Sequence, residues 1–236
     1  IWEIAFVDSS LFGETIVKIV EVPMSKPVWD EEHDSPSYPY PYGSPGWLSS
    51  GDFVVYDAYD IWRFNHKTRE LVALTNSYGR ITESRMRVLN LEPEFDEDLD
   101  VKKGIDNSDG TITIQTFHEP SKSSGILMLD LASKGTETLS FGNFKNSRFR
   151  RARHANSLLF FQETVDSSPN LFSYNLIEDP AFEMRNKLLR LTDLNPQQDS
   201  FIWPKVEIIK YRAFGKKMQG LLYTPQNISL NQSLPM

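Results

Sequence analysis

The chain has 236 residues, 39% of them hydrophobic, enough to bury a substantial core, and a formal net charge of −7. That charge argues against nucleic acid or an anionic membrane surface as the main partner. The absence of cysteine excludes disulfides, a thiol nucleophile and thiolate-held metals, and no run approaches the roughly 18 apolar residues of a membrane-spanning helix.

Residues 1–7 and 16–22 read as two strands joined around Gly13. The first residue is Ile, inside a strand and without a basic-apolar-small leader, so the expectation is a piece of something longer. Residues 23–46 hold six prolines and four aromatic residues, which no regular strand or helix accommodates. The run Tyr38-Pro39-Tyr40-Pro41-Tyr42 favours an extended, polyproline-like backbone. Asp30, Glu31, Glu32, His33 and Asp34 sit together in this loop. Oxygen ligands with one histidine suit Ca or Mn, yet five adjacent side chains cannot all turn to one ion. A solvated loop is the simpler reading; recognition of a cationic group, such as a peptide amine, is the other functional one.

The stretch 51–79 organises the rest. Residues 52–57 and 59–64 are rich in β-branched and aromatic residues, and 71–75 gives a third short strand. The turns between them are too short for a crossover helix, so the three form an antiparallel meander. Residues 80–91 read as a further strand, with Arg85, Arg87 and Leu89 alternating. Asp96, Asp98 and Asp100 copy the first half of a calcium loop. Val101 and Asn107 stand where its glycine and closing glutamate belong, so an exposed acidic insertion is expected instead. Asn107-Ser108-Asp109-Gly110 is a turn, and residues 111–117 alternate as a half-buried strand. Arg148, Arg150, Arg151 and Arg153 form a basic patch with His154. It reads as a polar edge strand whose charges block stray pairing, or as a bidentate holder of a substrate carboxylate. Residues 158–161 are a buried strand, and 181–189 a short helix or a long loop. Asn227-Ile228-Ser229 and Asn231-Gln232-Ser233 match the glycosylation sequon, read as chance matches in a polar tail.

The meander recurs. Asp60-Ile61-Trp62-Arg63-Phe64-Asn65 aligns with Gly125-Ile126-Leu127-Met128-Leu129-Asp130 and with Asn170-Leu171-Phe172-Ser173-Tyr174-Asn175. Each copy ends in Asn or Asp, and the first and third are followed by a Leu-Thr pair, Leu74-Thr75 and Leu191-Thr192. A small antiparallel sheet repeated every roughly 40 to 50 residues is the sequence sign of a β-propeller blade, with an all-β sandwich as the alternative.

After Asn195-Pro196-Gln197 the character changes. Val206, Glu207, Tyr211, Gly215, Lys216, Gly220, Leu221, Leu222, Tyr223 and Pro225 fall on a hairpin that turns at Gly215-Lys216. Their order resembles the domain junction of the prolyl oligopeptidase (S9) family of serine peptidases. Asp34, Pro36, Tyr42-Gly43, Gly46-Trp47 and Tyr59-Asp60-Ile61-Trp62 resemble secreted bacterial members, in which a basic residue often holds the place of Ala58. The resemblance runs from about residue 30 onward. It implies an all-β fold: a partial β-propeller of about three to four antiparallel blades over 1–200, then the first hairpin of an α/β-hydrolase domain over 201–236. It also implies a Ser-His-Asp triad on a Gly-x-Ser-x-Gly elbow, covered by the propeller. No two glycines here lie four apart, so that elbow is absent, and the four histidines fall in or beside the propeller-like part. No catalytic, cofactor-binding or metal-ligating residue is therefore assigned, and no cofactor is expected. Peptide substrates would act through the missing hydrolase domain. A periplasmic or secreted location follows by analogy alone. An incomplete ring leaves sheet faces uncovered, which predicts self-association. The competing functions are a free-standing propeller that binds proteins and a propeller glycosidase, for which no second carboxylate is placed.

Overall fold

The structure is a computed structural model. It describes residues 28–65, 67–89, 91, 104–107, 109–152, 157–176 and 188–226, and the backbone of 3–9 and 15–21.

The chain is all-β, a partial β-propeller, and its described residues form three four-stranded antiparallel sheets and two two-stranded ribbons. It divides into two compact units, Ile1–Gly142 and Asn143–Met236. In the first unit, β1 (Glu3–Ser9) and β2 (Thr15–Glu21) form a ribbon. The first blade follows as β3 (Gly46–Trp47), β4 (Phe53–Tyr56), β5 (Ile61–Asn65) and β6 (Glu70–Ala73). The second is β7 (Ser84–Val88), β8 (Thr111–His118), β9 (Ser123–Asp130) and β10 (Thr136–Gly142). The second unit holds the third blade, β11 (Lys145–Arg151), β12 (Ser157–Glu163), β13 (Asn170–Asn175) and β14 (Leu188–Arg190). Its ribbon is β15 (Pro204–Ala213) and β16 (Lys216–Pro225). Within each blade the strands lie across the sheet in chain order. That is the meander of a propeller blade.

The core of the first unit explains why β4 is apolar without a break. Val54, Tyr56, Ile61 and Leu74 of the first blade pack with Met86, Ile112, Ile114, Leu127 and Leu129 of the second. Val55 and Trp62 are buried with Val28, next to Trp29, Phe53 and Leu71. A sheet covered on both faces needs apolar residues at every position, which replaces alternation by a continuous run.

The three aligned segments are the third strands of the three blades, and the shared ends of the first two have a physical cause. Asn65 Oδ1 accepts from the N–H groups of Lys67 (2.9 Å) and Thr68 (3.0 Å). Asp130 Oδ1 accepts in the same way from Ala132 (2.7 Å) and Ser133 (2.8 Å). A short side chain that bonds its own backbone two residues on is what starts such a turn. The Leu-Thr pair acts at the other end. Ile61 N–H donates to Thr75 Oγ1 (3.2 Å), and the Thr75 hydroxyl donates to Asp60 Oδ1 (2.6 Å). In the third blade Leu171 N–H donates to Thr192 Oγ1 (2.9 Å), and the Thr192 hydroxyl donates to Asn170 Oδ1 (3.2 Å). A hydroxyl thus takes over the ladder where the fourth strand leaves the third. The second blade has Gly125 in that place. A Cβ there would lie 2.6 Å from the Ser140 carbonyl oxygen, because β10 runs on past it, opposite Phe141.

Two expectations are corrected. Residues 80–91 are not one strand: Tyr78–Ile81 is a single turn of helix, α1, and β7 begins at Ser84. The turn forms because Asp60 reaches across the chain to cap it. Its carboxylate accepts from Gly79 N–H (2.8 Å) and Arg80 N–H (2.9 Å). Leu188 and Leu189 belong to β14, where they pair with Tyr174 and Ser173, and not to a helix. The rest of 181–189 lies outside the described residues, as do Asp96, Asp98, Asp100, His66, Arg153, His154 and both sequons.

Candidate functional site

The proline-tyrosine loop leaves the body of the first unit as a narrow arm. An antiparallel bridge joins Trp29 to Pro41, Asp30 N–H donates to the Tyr40 carbonyl (2.8 Å), and Tyr42 N–H to that of Val28 (2.9 Å). Beyond this base, Tyr38 is 90% and Tyr40 71% exposed. His33 stands edge-on to Tyr40 at 6.1 Å, and its Nε2 lies 3.1 Å from the Ser37 carbonyl oxygen.

The arm is tied to the body by charge. Arg80 reaches Glu31 Oε2 at 3.1 Å and Asp57 Oδ2 at 3.2 Å. Its guanidinium also lies 5.5 Å from the centroid of the Tyr59 ring. Asp57 is 1% exposed and caps its own β4–β5 turn, accepting from Tyr59 N–H (2.7 Å) and Asp60 N–H (2.5 Å). Burial works against the charge on Arg80, but Glu31 and Asp57 outweigh it and hold the guanidinium above its ordinary value. Arg87 takes the same turn from the second blade. It donates to the Asp57 carbonyl (3.2 Å) and lies 4.6 Å from the Tyr56 ring centroid. Burial lowers its affinity for the proton, against the pull of Tyr56 and with the repulsion of Arg85. Tyr56 accepts from Val88 N–H (3.0 Å), and burial raises its phenol. Burial likewise raises Tyr42, whose hydroxyl accepts from Glu31 N–H (3.1 Å).

This geometry decides among the readings of the acidic loop. Glu31 is engaged by Arg80, and Asp30 Oδ1 accepts from Glu32 N–H (3.1 Å), so two of the four carboxylates serve the loop itself. Among the described residues no group of His, Asp and Glu is placed to hold a metal ion. What projects is an arm with two tyrosines, Glu32, Asp34 and His33. Such a surface can contact a ligand.

The remaining candidates separate. His118 Nδ1 lies 2.6 Å from Ser121 Oγ, but both sit in one turn, and Ser121 Oγ also bonds Ser123 Oγ (2.8 Å). Ser121 N–H aims at the same nitrogen (3.3 Å), which makes the pair a turn lock rather than an activated nucleophile. Arg148, Arg150 and Arg151 lie on β11, an outer strand of the third blade, as a polar edge requires. Asn107 donates to Thr111 Oγ1 (2.9 Å), and Asp106 accepts from Ser49, so this stretch closes a turn. The sequence reading passed over Arg80 and Asp57. The one signal for them was Asp57-Ala58-Tyr59-Asp60, two acids spaced to cap a turn and then a helix.

No helix among the described residues is long and apolar enough to cross a membrane. No family model and no curated protein matches the sequence. Solved structures with some similarity include a mutant puromycin hydrolase complexed with PGG, 11% identical over 75% of this chain with a TM-score of 0.46. Two TolB structures, from Acinetobacter baumannii and Agrobacterium tumefaciens, are each 13% identical over 94% of this chain, with TM-scores of 0.38. The match spans 70% of the Agrobacterium protein, 49% of the Acinetobacter protein and 24% of the hydrolase.

Proposed function

We propose that this chain is the non-catalytic, substrate-gating propeller portion of a prolyl oligopeptidase-like serine peptidase that hydrolyses peptides. Residues 1–200 would be blades of an incomplete ring, and 201–236 the first strands of the hydrolase domain. The observation that supports this is the β15–β16 ribbon. Its register sets Val206 opposite Tyr223 and Glu207 opposite Leu222, so the residues that carry the resemblance share one element. Phe214 (φ 52°) and Gly215 (φ 76°) make its two-residue turn, in the left-handed conformation that matches the twist of the strands. Among the described strands it pairs only with itself. Leu221 and Tyr223 are exposed on one face, Ile209, Tyr211 and Met218 on the other. A ribbon apolar on both faces suits a larger, doubly covered sheet. The resemblance to secreted members carries the further proposal of a periplasmic or secreted location.

A serine-directed fluorophosphonate tests the reading. The chain alone should take no label and hydrolyse no peptide. An antibody raised against it should capture from the native cells a larger protein that does take the label. A labelled chain, or a captured protein of about the chain's own 27.2 kDa without label, would favour a different assignment, the latter a free-standing binding propeller.

A further inference from the structure

The basic strand β11 is built irregularly, and the irregularity decides where its arginines go. Ser147 lies opposite Phe161, so a regular ladder would set Phe149 opposite Leu159. Arg150 lies there instead, which means that one extra residue is inserted between the two pairs. The insertion is a β-bulge, and Arg148 within it takes the left-handed conformation (φ 53°). Strict alternation would have put Arg148 and Arg150 beside Asn146 on the buried face, which carries Leu158 and Phe160. With the bulge, Phe149 turns to Phe160 instead (ring centroids 5.9 Å apart). Arg150 joins the opposite face, and Arg148 lies 5.8 Å from the Phe161 centroid.

That opposite face is half-open, with Leu159, Phe161 and Ser173 only partly buried. The carboxylate beside them, Glu163, is held by Lys145 at 2.8 Å. Arg148 and Arg150 form no ion pair among the described residues, and Arg150 donates only to the Phe149 carbonyl (2.8 Å). Two forked guanidinium groups beside an apolar platform suit a carboxylate that carries an apolar side chain. A net charge of −7 disfavours a polyanion there. We propose that Arg148 and Arg150, over Phe161 and Leu159, bind the C-terminal carboxylate of a peptide. The proposal rests on the peptidase-propeller reading and names the end of the substrate that the third blade would hold.

The test is fluorescence anisotropy of Ala-Ala-Ala-Leu, labelled at its N-terminus, against the same peptide as a C-terminal amide. The acid should bind this chain at least about tenfold more tightly than the amide, the effect of losing a charge-assisted hydrogen-bonded pair. R148Q/R150Q should abolish that ratio, whereas K145Q, whose lysine is occupied by Glu163, should leave it within about twofold. Circular dichroism confirms that each variant is folded. Equal binding of acid and amide, an unchanged ratio in R148Q/R150Q, or displacement by inorganic phosphate as readily as by unlabelled acid would overturn the site. A fluorophosphonate-reactive parent with no acid preference here would remove this site and leave the peptidase reading. An acid preference without a reactive parent would do the reverse.

Discussion

Asp60 offers the sharpest test of how a blade is held. Its carboxylate is 1% exposed and accepts from the Thr75 hydroxyl and from Gly79 and Arg80 N–H. Asp60→Ala leaves all three donors without that acceptor. Thr75 and Gly79 are buried, so each should cost about 1–3 kcal/mol; Arg80 N–H is nearer water and should cost less. Relief from burying a charge offsets part of this, and a net loss of about 3–5 kcal/mol is expected. Asp60→Asn differs. Thr75 and Gly79 both bond Oδ1, which an amide oxygen reproduces, as Asn170 does for Thr192 and Leu194. Only the bond from Arg80 N–H to Oδ2 is lost, to an amide that faces it donor to donor, for about 1–2 kcal/mol. Urea unfolding followed by tryptophan fluorescence, with buried Trp62 as reporter, measures both. Equal losses for the two variants, or less than about 1 kcal/mol for Asp60→Ala, would refute the reasoning.

Arg80→Gln should free the arm from the body. Amide exchange at Asp30, Glu31 and Tyr42 should quicken, and stability should fall by about 1–2 kcal/mol because Asp57 stays buried without its cation. Unchanged exchange would show that the loop is held without Arg80. Backbone N–H groups of Ser133 and Ala132 hold the Asp130 carboxyl below its ordinary value. A lowered folded value means that its contribution is full above the ordinary carboxylate range and is lost as pH falls through the folded value. Asp130→Asn should keep the turn, as Asn65 does, and remove this acid dependence from the Ala132 and Ser133 amide signals in NMR. Exposed Phe201, Ile202 and Phe214 lead us to expect concentration-dependent association, and sedimentation as a monomer at every concentration would contradict it.

The blades were readable because their key contacts are local. Asn65 and Asp130 bond their own turns, and Thr75 and Thr192 follow their fourth strands directly, so alignment of short segments finds them. What escaped depends on distant partners. The α1 turn is capped by Asp60, nineteen residues away, and no local pattern announces it. β10 went unread because an irregularity between Thr138 and Ser140 breaks its alternation. β14 is three residues long and is defined by the strand it pairs with. The same limit applies to the candidate site. The acidic and aromatic residues of the arm were visible, but that Glu31 is spent on Arg80 became clear only with Asp57 beside it.

Gly125 sets the second blade apart from the other two. With no side chain in the way there, β10 does not turn off as the other fourth strands do but pairs on past Gly125, across an irregular step, to Gly142. β14, with three paired residues against the six of β10, should therefore fray more readily when the fold breathes. The edge it would bare on β13 is a ready berth for a foreign strand, whereas the longer pairing of the second blade resists such exchange.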